Sequence, residues 1–293
     1  MNFEGPPQIK KVEKPPEPEQ VVQSAVEKEA NYEGNDTLLY YERLKNPTIK
    51  KQLVDLLYDH YQEAKSLPND VDEHGNLFRN PNKNEQPKSR EQIEKELDDQ
   101  IEKVFSVTAL DYDPKGTSDS RGIEIKDEYI NSGTVAPFSR NFETGEPWTQ
   151  KQLSIIEAHE KGHGVRGNFP RLTNELRQKV VRSLDSSKVV IDDRFRNMWR
   201  EVNKTPPDET NDHTDREILE YFLQPGEIIE RMAQLKNYFG LKGEEEFTKK
   251  HLDYAKAHYI ADTGMGMQIR PFLEAVTPET EPKFLELINS LGI

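Results

Sequence analysis

The run His159-Glu160-Lys161-Gly162-His163 has the residue types and the spacing for metal chemistry. On a helix, residues four apart lie one above the other on the same face, so the two imidazoles can share one cation. Glu160 follows the first histidine directly. From there a carboxylate can reach a metal-bound water without being a ligand itself. The chain has no cysteine, so thiolate ligation is excluded and a metal site must use His, Asp or Glu.

Such a pair needs a helix to hold it, and the flanking residues supply one. Thr149-x-x-Gln152 is a capping-box pattern. Leu153, Ile155 and Ile156 then give an apolar face ahead of the histidines, while Gly164, Gly167 and Pro170 mark the exit.

A catalytic zinc takes three protein ligands and leaves one position open. A third histidine six residues after His163, with glycine at the third, would make the longest form of the motif. Phe169 and Arg166 occupy those positions, and Phe169 excludes an aspartate ligand there too. A glutamate from a later helix remains. Glu227 is the leading candidate, in Gln224-Pro225-Gly226-Glu227-Ile228-Ile229-Glu230-Arg231. Pro225 suits a first helical position, the helix dipole favours a carboxylate in the first turn, and Arg231 stands four residues on to orient it. Glu230 is the rival.

Taken together, His159-Glu160-x-x-His163 and a later Pro-x-Glu helix resemble the gluzincin zinc metallopeptidases. The resemblance spans roughly residues 123–240. Two features depart from it: Gly162 inside the helix costs up to about 1 kcal/mol against alanine, and Glu227 is distant in sequence from His163. The resemblance implies a Zn2+ cofactor held by His159, His163 and Glu227, with Glu160 as general base on the zinc-bound water. It implies a peptide or protein substrate. It also implies a small sheet over the motif helix, for which Ser106–Leu110, Ile123–Ile125 and Gly133–Phe138 are the available strands. The expected class is therefore α+β, predominantly helical: a zincin-like domain with further helices at the C-terminal end. Oxyanion stabilisation in that class falls to a Tyr, His or Arg, and Tyr221, Tyr238, His213, His251, His258 and Arg166 are candidates. The alternative is a catalytically inactive module of the same fold, in which zinc only holds the helices together.

Composition bounds the partners. Lys and Arg number 40 against 54 Asp and Glu, a net charge of −14. That balance argues against nucleic acid and anionic membrane surfaces. No apolar run approaches a membrane span and the first residues lack a signal-peptide core, so a cytoplasmic setting is expected. Nothing in the sequence specifies an oligomeric state.

Residues 1–35 are rich in Pro, Glu and Lys and read as a disordered tail. The metallopeptidase domain takes residues 36–293, with the motif core at about 105–240 and a helical part at 241–293. Helical patterns are expected from Asp36 to the break at Asn46-Pro47, and onward to Leu67. Others run over Arg90–Val104 behind Ser89-x-x-Gln92, from Thr214 through Phe222, and over Pro225–Phe239. Three more follow at Phe247–Ile260, Gln268–Val276 and Glu281–Leu291. On that reading His251 and His258 are surface histidines, and Phe195, Met198 and Trp199 belong to a core.

Overall fold

The computed structural model describes residues 35–66, 70–71, 77–78, 88–106, 146–167, 179–203, 206 and 211–293. Local sequence signals explain where its helices begin. Helix α1 (Asp36–Lys45) opens at Asn35, whose side chain accepts a bond from the Leu38 N–H at 3.1 Å. It stops at Asn46, because Pro47 starts α2 (Pro47–Ser66) and Asn46 accepts from the Thr48 N–H. In α3 (Arg90–Ser106) the Ser89 hydroxyl accepts from Gln92 N–H while the Gln92 side chain accepts from Ser89 N–H. The same reciprocal pair, Thr149 with Gln152, opens α4 (Gln150–Gly167), the helix of the histidine motif. Asp192 caps α5 (Asp193–Asn203) by accepting from Arg194 and Phe195.

Helix α6 (Asn211–Phe222) begins three residues ahead of the expected cap. Thr214 is inside it and fully buried. Then come α7 (Pro225–Tyr238), α8 (Lys249–Thr263), α9 (Gly266–Ala275) and α10 (Glu281–Ser290). Among the described residues, no helix is long and apolar enough to cross a membrane.

The expected α+β class, with a small sheet over the motif helix, is overturned. The described residues are mostly helical, and their strand pairing is a two-residue antiparallel ladder of Asp70–Val71 with Leu77–Phe78. Helices α1, α3 and α7 pack on α4 where a sheet was expected. Ser106, taken as the start of a strand, is the last residue of α3. Its stripe Ile93, Leu97, Ile101 and Val104 is almost wholly buried, so the same apolar run that ends in Phe105 completes a helix. The other expected strand residues, with the tail at 1–34, lie outside the described residues.

Helix α7 is central. Every residue from Glu227 to Tyr238 is buried, with α1, α4, α6, α9 and α10 around it. A helix buried on all sides is normally apolar. This one carries Glu227, Glu230, Arg231, Gln234, Lys236 and Asn237, so its polar groups need partners inside the protein. A large core joins it to α1–α4 and α8–α10, and a smaller one of Ile191, Phe195, Ile218 and Phe222 lies between α5 and α6.

Candidate metal centre

Helices α4 and α7 bring His159, His163 and Glu227 together. One donor atom from each lies within 4.8 Å of the others, the one such group of three found among the described residues. The two Nε2 atoms are 3.1 Å apart. Glu227 Oε1 is 3.1 Å from His163 Nε2, and Oε2 is 3.3 Å from His159 Nε2. Two ligands at ordinary zinc distances in a tetrahedron are separated by about 3.3 Å, and each of these three separations is close to that, so the group fits a zinc ion. The donor set, two imidazole nitrogens and a carboxylate, is also one zinc accepts.

Arg231 fixes the carboxylate. Its Nη2 donates to Glu227 Oε2 at 3.0 Å, and both side chains are buried. Its guanidinium also lies over the Phe222 ring, 5.2 Å from the centroid. Burial would raise the Glu227 pKa, but the hydrogen bonds of both histidines and the Arg231 charge hold it well below the usual carboxylate range. Burial lowers the His163 pKa, and the carboxylates of Glu227, Glu230 and Glu160 outweigh it, pushing it to about 9. His159 is more buried, and its Nδ1 has no partner among the described residues.

Glu160 is half-buried beside the triangle. Burial pushes its carboxyl above the ordinary pKa, against the opposing pull of His159 and His163. Of the six oxyanion candidates, Tyr221 lies beside the site carboxylates. Burial first, then the Glu227 charge, raises its phenol well above the ordinary value, and Glu160 adds to this.

The other five are engaged elsewhere. Tyr238 donates to Asp262, and His213 pairs with Glu217 on the surface. His258 stacks on Tyr254. His251, expected on the surface, is instead buried and accepts the Thr248 N–H at the start of α8. Arg166 donates to both Glu230 and Tyr40.

Glu230 is thereby accounted for. It is not in the donor triangle. Its Oε2 accepts the Tyr40 hydroxyl at 2.9 Å, and its Oε1 accepts from Arg166. Gly162 makes this possible: a Cβ there would run into the Glu230 carboxylate and stand 2.8 Å from the Tyr40 ring. The glycine that weakens the helix in isolation admits a buried carboxylate from α7. Sequence reasoning did not assign Tyr40 or Arg166 to this network. The available signal was the glycine itself, since an interior helix glycine often marks a close approach.

Comparison with protein-family models, curated proteins and solved structures finds no match.

Proposed function

We propose that the chain is a zinc-dependent peptide-bond hydrolase in which His159, His163 and Glu227 hold the ion and Glu160 is the general base. The observation that carries this reading is the approach of two imidazole nitrogens, 3.1 Å apart, to the two oxygens of Glu227 at 3.1 and 3.3 Å, next to a half-buried glutamate. Zinc held there supplies Lewis acidity, acidifying water toward a pKa of about 7 and polarising a carbonyl oxygen.

The chain's own residues do the rest. The Glu160 carboxylate takes a proton from the attacking water and delivers it to the leaving amine nitrogen. Its raised pKa suits both halves of that transfer. Arg231 helps the two histidines keep Glu227 ionised and holds it aimed at them. To Tyr221 we assign the hydrogen bond to the carbonyl oxygen as negative charge develops on it. The phenol keeps its proton at neutral pH, which a donor must do.

The test is metal analysis of the purified protein together with cleavage of a peptide library. One zinc per chain and turnover that vanishes in Glu160→Gln, with zinc retained, are expected. Absence of stoichiometric zinc, or unchanged turnover in Glu160→Gln, overturns the proposal. Zinc without any turnover reduces the centre to a structural one.

A further inference from the structure

We propose that Tyr40, Glu230 and Arg166 are positioning residues for the zinc centre, so that α1 belongs to it without supplying a ligand. This rests on the zinc reading above.

Two rows of residues on α4 face two carboxylates on α7. His159 and His163, four apart, face Glu227. Gly162 and Arg166, also four apart and three residues further along, face Glu230, itself three residues beyond Glu227. Residues three and four apart share a helix face, so the second pairing adjoins the first along the same contact. Arg231 aims the Glu227 carboxylate but belongs to α7, and so cannot fix the distance to α4. The Glu230–Arg166 ion pair spans that gap, and the Tyr40 hydroxyl clamps it from α1.

The network is a poor device for stability alone. Glu230 is 1% exposed, and taking such a charge out of water costs about as much as the ion pair returns. Apolar packing would hold two helices together as well. What the polar arrangement adds is one permitted separation and rotation. A metal site needs that, because its ligand distances tolerate only about 0.2 Å.

The experiment uses the full chain. Zinc dissociation constants come from competition with a chromophoric chelator, and ligand geometry from the visible absorption of the Co2+-substituted protein. The variants are Tyr40→Phe and Glu230→Gln. Tyr41→Phe is the control, since it loses a hydroxyl bond to Glu102 on the exposed side of α1. Tyr40→Phe and Glu230→Gln are expected to raise the zinc dissociation constant roughly 10–100-fold and to shift the Co2+ bands, while the apoprotein keeps its helical circular dichroism and Tyr41→Phe matches wild type. Wild-type affinity in folded variants overturns the inference. So does weakened affinity with an unshifted Co2+ spectrum, which would mean a general loss of stability. If Glu230→Gln does not fold, Tyr40→Phe decides. Wild-type protein that binds no zinc overturns the zinc reading and this inference with it; zinc bound equally by all variants overturns this inference alone.

Discussion

Arg231 and Glu227 are one turn apart on α7, and the guanidinium bonds the carboxylate oxygen that faces His159, at 3.0 Å. The other oxygen faces His163. One side chain thus divides its two oxygens between the histidines while an arginine behind it prevents rotation. Arg231→Met removes that restraint and a charge that, with the two histidine hydrogen bonds, keeps Glu227 ionised. We expect zinc to bind about 10–100-fold more weakly, measured by chelator competition. Arg231→Lys restores the charge but not the planar fork, so it recovers only part of the loss.

Tyr221→Phe separates binding from chemistry. The variant keeps the aromatic packing against Trp199 and loses only the hydroxyl. With zinc at saturation, KM stays near wild type, while kcat falls about 10²–10³-fold, the cost of one lost oxyanion donor. Steady-state kinetics on a single peptide substrate checks this, and an unchanged kcat removes Tyr221 from the mechanism.

Gly162→Ala inverts the usual rule for helices. Glycine to alanine in a helix interior ordinarily stabilises by up to about 1 kcal/mol. Here the new methyl meets the Glu230 carboxylate and the Tyr40 ring, both buried. Overpacking of this kind costs about 1–3 kcal/mol. Urea unfolding of the apoprotein is expected to give a lower midpoint than wild type; a higher one would mean that the neighbours yield freely.

Asp36 gives a pH signature. Burial in the first turn of α1 raises its pKa to about 7, against the pull of Lys151 and Arg43. The unfolded group titrates near the ordinary value of 3.8. Between these values the folded state holds the proton and the unfolded state releases it. Stability is therefore present below pH 3.8 and lost as pH rises toward 7, by up to about 4 kcal/mol at 1.36 kcal/mol per unit. Asp36→Asn abolishes that slope, leaving a variant more stable than wild type at pH 8 with no such advantage at pH 4. Denaturant melts across that range measure it.

Local spacing carried much of the site into the sequence. The histidine pair, the capping boxes at Ser89 and Thr149, and the proline start of α7 are all short-range patterns, and the structure has a helix behind each. Glu227 was legible because its helix start and its arginine are local too. The role of Glu230 was not, since its partner Tyr40 is 190 residues away and nothing near either residue indicates the other. The burial of α7 on all sides was hidden for the same reason: the helices that enclose it come from both ends of the described chain. The sheet was expected from the resemblance and from short apolar runs, and such runs do not distinguish a strand from the end of a buried helix. At Phe105-Ser106 the helix prevailed.

The pairing of two carboxylates with two different receptors on α4 also bears on how the chain avoids folding wrongly. A purely apolar α7 would pack almost as well after sliding one turn along its neighbours. With Glu227 and Glu230 in place, that slip would carry one carboxylate into the other's position and leave the other buried without its receptor. Misaligned packings are penalised by several kcal/mol for each stranded ion, and only one register keeps every buried charge answered.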